Sequence, residues 1–478
     1  MPSIKELIDE KLTRGNDFAG LVGALKVDTN EYRDPEEYLD EYQGKRYRRR
    51  TSVGHLETKT VTAYSDEEED ENGDPKKIKK TVHPQRFITN YPKRIVRTAV
   101  AFLLGKSMEV SFSDNNDATS EFENVFCKQL KMHSVLKEFA RTVFSETKSA
   151  IVFYPVPILN KEGKAEKTKL KAKVLSVKNE DEFYPHFDEY GDMDAFLHIW
   201  VSKSGNKTIN HKDIYTADKV YSQINLESYT EKNNLFGKIP VVYADIDQPE
   251  WEDAVLAIDT LEVRLSRLKA TNNYFSEPIL KSYGATNLPS QETVGKQIEF
   301  NMEVAEDGSL VHGDADYLTW QQSVDSIKLE IEEAKDEIER GTSTPNLSAS
   351  SLKGLGNLSG IARRFMMLDA EIKASENMET FGPAFMRCVS VVKAGISNIT
   401  NISIASSLEN IDIDLSFESI IPQDIQELVD TLVAANGGQS INSQRTIVAK
   451  SPFTMDADEE MKAIEEDRKA NNPIGVTF

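Results

Sequence analysis

The 478-residue sequence predicts an α+β fold. Segments with apolar residues every three or four positions flank a central run of short strands punctuated by Pro, Gly and Asn. Two helical segments are joined by a long stretch of small residues that carries almost no charge. A chain of this length exceeds one core, so two or three domains are expected. An apolar share of 39% and a charged share of 28% are those of a protein able to bury a substantial core.

The N-terminus, MPSIKELIDEKL, is amphipathic and charged, without the apolar core of a signal peptide. Residues 1–50 read as helical and end in a basic cluster of Lys45, Arg46, Arg48, Arg49 and Arg50, set close to Glu36, Glu37, Asp40 and Glu41. That cluster suits phosphate contact, or simply balances its acidic neighbours. Residues 65–80 hold an acidic block, an Asn-Gly-Asp-Pro turn and a basic block, predicting a solvated connection between strands TVTAY and KKTVH. The acidic block lacks the ligand spacing of a calcium loop. A helix follows, with Asn90 as a cap, Pro92 in the first turn and Gly105 at the stop, burying Ile95, Val96, Ala99, Phe102 and Leu103. Strand MEVSF comes next. LLGKS mimics the tail of a phosphate loop, but Val100 stands where a glycine is required and the helix precedes the strand.

Residues 121–250 predict an antiparallel sheet from AIVFYPV, KAKVLSV, FLHIWVSK, DIYTADKVYSQI and KIPVVYA. The next helix carries Ile258, Leu261, Leu265 and Leu268 on one stripe, and a strand-and-turn insert covers about 279–321. An acidic helix then places Val324, Ile327, Ile331, Ala334 and Ile338 on a single apolar face. In residues 341–360, Gly, Ser and Thr supply 11 of 20 positions and Lys353 is the sole charge. A loop this long is either functional or a plain linker. Helical spacing resumes with Ile361, Phe365, Leu368 and Ile372, and Gly382 and Pro383 are expected to kink or break that helix. NISIASSLENIDIDLSFES alternates as a strand, and the residues from Ile421 onward read as three short helices.

Enzyme signatures are missing. The seven histidines include no His-Glu-x-x-His, and neither a Gly-x-Ser-x-Gly elbow nor a Gly-x-Gly-x-x-Gly fingerprint occurs. Cys127 and Cys388 lie far apart in apolar context and read as buried thiols of a reducing compartment. No run approaches the roughly 18 apolar residues of a membrane span, so a soluble intracellular protein is expected. Lys and Arg number 57 against 79 Asp and Glu, a net charge of −22, which argues against tight phosphate neutralisation over the whole chain.

Several segments, in one order, resemble the portal (head-to-tail connector) proteins of tailed bacteriophages, nearest to the branch of long-tailed phages. They are FITNYPKRIVRTAVAFLLGKSMEV, DEFYPHFDEYGDMDAFLHIWV, NNLFGKIPVVYADID, the helix at 250–275, STPNLSASSLKGLGNLSGIARRFMMLDAEIKASE, and the stretch from IIPQDIQELVDTLVAANGG to MKAIEED. Together they run from about residue 30 to 470. Asn-x-x-Gly-x-Ile-Pro-Val-Val and Asn-Leu-Ser-Gly-x-Ala are the most specific. Two departures are a brief final segment and Asn346, which stands where relatives often carry an acid.

The resemblance implies a portal-type architecture: an antiparallel-strand and helix wing (1–249 and 359–420), a two-helix stem (250–278 and 322–340), a small α/β clip (279–321), a tunnel loop (341–358) followed by a long kinked helix, and a short helical crown (421–478). It implies a ring, usually of twelve subunits, at one capsid vertex of the virion, assembled in the host cytoplasm. Double-stranded DNA would pass through it during packaging, retention and ejection. Expected partners are the terminase large subunit, the major capsid or scaffold protein and a head-completion adaptor, with no cofactor, metal or membrane. The loop residues Asn346, Ser348, Ser350, Ser351, Lys353 and Asn357 would then line the channel, Lys353 being the foremost candidate for touching DNA. Glu330, Glu333 and Glu337, copied around a ring, would repel phosphates and keep DNA from adhering. A packaging or remodelling ATPase, which would need a complete phosphate loop, and an acidic scaffold protein that never meets DNA are the alternatives.

Overall fold

Apolar faces at helical spacing converge on one main core. The computed structural model describes residues 3–27, 34–45, 59–69, 75–83, 86–159, 165–205, 207–225, 227–275, 279–283, 285–287, 299–300, 303–304, 310–311, 314–318, 324–346, 364–421, 425–436, 442–451, 453–454 and 456–471. In it, helices Tyr91–Leu104, Met132–Glu146 and Leu368–Gly395 supply most of the core, with strand Lys148–Leu159 beneath them. Phe381 lies at the centre: Phe139 meets its ring edge-on at 6.1 Å, while the rings of Phe144 at 5.1 Å and Phe385 at 5.8 Å are tilted against it. Each such fully buried aromatic contributes about 1.5–3 kcal/mol by leaving water.

The strand region forms two antiparallel sheets. One has three strands in the order Val241–Asp245, Lys148–Leu159, Ala165–Leu175. The other is a five-stranded meander of Glu182–Phe187, Met193–Ser204, Lys207–Thr216, Lys219–Ile224 and Thr230–Asn233. Period-two alternation sorts its side chains. Phe196 faces a small core with Phe183, Val152 and Ile239, whereas Ala195 and Leu197 face the N-terminal helices Ile4–Ile8 and Phe18–Leu25. Ser3 and Glu6 close a capping box on the first of these helices, and Asp17 caps the second.

Helix Val255–Phe275 and the acidic helix Val324–Gly341 run beside each other and feed the core from one end. Ile258, Leu261 and Ile338 are buried, while Leu265, Ile331 and Ala334 pack partly covered against them. Between the two helices, Ile279–Tyr283 pairs with Asp314–Leu318, and two shorter hairpins lie inside that pair. Every described element there is a strand; the helical part expected of the insert is not found among the described residues. Strands Lys59–Glu69 and Pro75–Val82 form the expected hairpin, and the chain's last described segments are helices Ile425–Asn436, Gln444–Lys450 and Ala457–Asn471.

Three local expectations are corrected. Asn90 occupies the N-cap of Tyr91–Leu104 but its side chain makes no cap bond. The 401–419 stretch is a strand only over Ile413–Phe417, because Ile402–Ile404 and Ala405–Glu409 coil into helical turns that carry Leu408 into the core. The long helix is not broken: it continues from Leu368 to Gly395 with Pro383 inside it. Proline removes the bond to the carbonyl four residues back. Here both Pro383 and Glu379 are on the exposed side, so water can satisfy that carbonyl while Phe381, Ala384 and Phe385 hold the helix from the other face.

Gly105, the expected stop of Tyr91–Leu104, has φ 56° and ψ −156°, a conformation nearly exclusive to glycine. A Cβ there would fall 1.7 Å from the carbonyl oxygen of Glu418, where Ile413–Phe417 begins its pairing with Met108–Phe112. Gly105→Ala is expected to lower stability by about 3 kcal/mol or more, read as a drop in thermal or denaturant midpoint. A change within about 0.5 kcal/mol would contradict the close approach.

Candidate functional site

The long small-residue segment is anchored by groups drawn from distant parts of the chain. Thr342 and Thr344 are buried at its start; Thr342 Oγ1 donates to the Ile338 carbonyl at 2.7 Å, and a 2.9 Å bond links the two hydroxyls. Ser343, between them, adopts φ 50°. Arg94 reaches over from helix Tyr91–Leu104, pairing with Glu339 at 3.1 Å and donating to the Pro345 carbonyl at 3.3 Å. Lys373, from the long helix, donates to the Thr342 carbonyl at 3.1 Å and pairs with Glu250 at 2.9 Å. Glu250 precedes helix Val255–Phe275, so one ammonium joins the end of the acidic helix, the long helix and the entry to Val255–Phe275. Burial pushes the Glu250 carboxyl above its ordinary value, and Lys373 opposes that shift.

A second tie lies lower on the helix pair. The buried Glu262 carboxylate accepts from both the backbone N–H and the hydroxyl of Thr89 at 2.8 Å, and Ser266 Oγ accepts from Phe87 N at 2.8 Å. Residues 86–90 are thereby strapped along Val255–Phe275, which sets the start of the next helix beside the segment's root.

The three glutamates singled out from the sequence fall in different surroundings. Glu330 pairs with Arg264 of the neighbouring helix at 2.6 Å, a tie between the two helices. Glu333 and Glu337 are exposed, and Arg340 lies 3.9 Å from the first and 3.5 Å from the second. Asn346 is the last described residue in the first part of the segment and lines a cleft with Glu333, Asp336 and Asp369. Ser348, Ser350, Ser351, Lys353 and Asn357 lie outside the described residues, as do Arg46, Arg48, Arg49 and Arg50 of the basic cluster; Lys45 itself sits 3.9 Å from Asp40. Where the long helix begins, Phe365 is 68% exposed, and Met366, Leu368 and Ile372 are also uncovered. Sequence reasoning missed Arg94, Glu250, Glu262 and Lys373. Nothing in their local patterns marks them, because each partner is remote: Arg94 and Glu339 are 245 positions apart.

Among the described residues, no group of His, Cys, Asp and Glu could hold a metal ion, and no helix is long and apolar enough to cross a membrane. Cys388 is buried and Cys127 half-buried, both as free thiols.

The family profile of phage portal proteins of the SPP1 Gp6-like type matches residues 25–473. The chain belongs to that family. It is 23% identical over 267 residues to the portal protein of Bacillus phage SPP1, an alignment covering 53% of this chain and 50% of that protein. The chain thus spans about half the length of that relative. Its fold is also similar to a chain in the neck of an empty gene transfer agent particle (TM-score 0.36, 8% identity, 78% of this chain and 88% of the other). A chain from the native gene transfer agent virion is similar too (TM-score 0.34, 10% identity, 74% and 87%). Neither likeness is close enough to add to the family assignment.

The Lys373–Glu250 pair has a pH signature. A carboxyl whose folded pKa is raised contributes stability that is full below its unfolded value, near 4.5, and lost as pH rises through the folded value. Lys373 limits that loss by favouring the ionised form. Lys373→Met is therefore expected to destabilise the protein by about 3 kcal/mol at pH 7 and by distinctly less at pH 5, with Glu250→Gln added to it restoring much of the difference. Denaturant titrations at the two pH values check this; an equal loss at both would contradict it.

Proposed function

We propose that the protein is the portal of a tailed phage: a ring at one capsid vertex of the virion through which double-stranded DNA is packaged, retained and ejected. The observation that carries this reading is the portal-family match over residues 25–473. In this reading residues 1–249 and 359–420 form the wing, 250–278 and 322–340 the stem, 279–321 the clip, 341–358 the tunnel loop and 421–478 the crown. The helix pair Val255–Phe275 and Val324–Gly341, with hairpins at its far end, suits a stem that presents a clip.

A ring needs two different faces on every subunit, because each copy meets its neighbours head to tail. Twelve copies would repeat the exposed Glu333 and Glu337 around the axis as a phosphate-repelling wall, while Glu330 is engaged with Arg264. Asn346, Ser348, Ser350, Ser351, Lys353 and Asn357 would form the constriction, rooted on Arg94 and Lys373. Lys353 would touch the DNA backbone in passing. The ring itself performs no chemistry: a terminase large subunit supplies the work of pumping from the clip end, and a head-completion adaptor later takes that place. The major capsid or scaffold protein surrounds the wing.

The reading is tested at the loop. With a photoreactive residue in place of Lys353, DNA-filled particles are expected to yield protein–DNA cross-links, and Lys353→Glu is expected to reduce packaging rate or DNA retention severalfold. Filled particles without cross-links, together with packaging and retention indistinguishable from the parent, would remove the loop from the channel.

A further inference from the structure

Two clefts of opposite charge open on either side of Pro345, at the root of the 341–358 segment. One, of about 790 Å³, has Lys93, Arg94 and Arg97 as its only charged residues among those described. The other, of about 460 Å³, carries the carboxylates of Glu333, Asp336, Glu339 and Asp369 against the single guanidinium of Arg340. Pro345 lines both. Arg94 of the basic side and Glu339 of the acidic side already pair across it at 3.1 Å, so the wall between the clefts is itself an acid–base contact.

Among the described residues, the remaining basic groups of this cleft have no carboxylate partner. Lys93 lies over the Tyr42 ring at 6.0 Å, Arg97 is exposed, and neither forms an ion pair among the described residues. A complement to these cations is present on the same molecule, in Asp336 and Asp369. Beside that complement, just before the long helix, Phe365 and Met366 are exposed, and Met366 lines the acidic cleft. A charged rim around an exposed apolar pair has the make-up of an interface, with a core that excludes water and a periphery that sets orientation.

We infer that the basic cleft of one copy receives the acidic cleft of the next, at Asp336 and Asp369, so that each neighbouring pair is joined at the roots of their loops. The inference rests on the ring reading and deepens it, naming which faces meet. The two faces differ and are complementary, as head-to-tail closure demands and as a two-fold contact of one patch with itself would not. Because the contact involves Pro345 and Asn346 at the segment's start, it also ties the position of one loop to that of its neighbour. Phosphate binding by the basic cleft is the competing use. The complementary acidic surface on the same chain favours docking of a second copy.

Lys93→Glu with Arg97→Glu reverses one face, and Asp336→Lys with Asp369→Lys reverses the other. The parent, each double variant and the fourfold combination are compared by light scattering and electron microscopy, with thermal midpoints measured to establish folding. The parent is expected to form rings. Each double variant is expected to assemble at least tenfold more weakly while remaining folded, and the parent's assembly to weaken with salt. The fourfold variant, with both faces reversed, is expected to regain rings. Folded double variants that assemble as the parent does would overturn the inference and leave the ring intact. So would a folded fourfold variant that fails to recover, or normal rings that lose only DNA retention, which would assign the basic cleft to phosphates. A parent that makes no rings at all would instead count against the ring reading.

Discussion

Lys373 places one positive charge where three parts of the chain must stay together. Its ammonium meets the buried Glu250 carboxylate and the Thr342 carbonyl, so the approach to helix Val255–Phe275, the end of the acidic helix and the long helix share a junction. Taking Glu250 out of water is costly, and the pair persists because the partner charge and hydrogen bonds offset that cost. The arrangement matters because of what leaves from it. A segment rich in Gly, Ser and Thr has little to order it from within. Its position is set by its root, and the root is Lys373 on one side and Arg94 on the other.

The surface pair Arg264–Glu330 plays a lesser part in the same frame. Exposed ion pairs contribute only about 0.2–1 kcal/mol, so apolar contacts among Ile258, Leu261, Ile331 and Ile338 hold the two helices together. That division leaves the outer face of the acidic helix free to carry charge for another purpose. Glu333 and Glu337 can be exposed and repeated because the fold does not need them. The same freedom applies to Lys93 and Arg97, which stabilise no ion pair of their own chain among the described residues.

Patterns local in sequence were legible. The stripe from Ile327 to Ile338 faces inward as its spacing demands, the strands from Lys148 to Asp245 pair antiparallel, and Gly105 ends its helix with a positive φ. What was not legible depends on distant partners. Ile402 and Ile404 alternate as a strand would, yet helical turns there bring Leu408 to the core, and Lys393 secures the carbonyls of Glu409 and Ile411. Pro383 interrupts a helical pattern on paper but faces solvent, where its cost is lowest. The glutamates chosen for the channel wall were equivalent as letters; only the neighbouring helix distinguishes Glu330, bound to Arg264, from the exposed Glu333 and Glu337. Lys373 and Arg94 carried no local signal at all.

A frame of this kind makes a channel only if copies meet head to tail around an axis. Electron microscopy of the purified full chain at high protein concentration and moderate salt tests this most directly. Closed rings with a central opening, with the acidic helix facing that opening, are what the account predicts. Monomers alone under those conditions, or open filaments that never close, would contradict it.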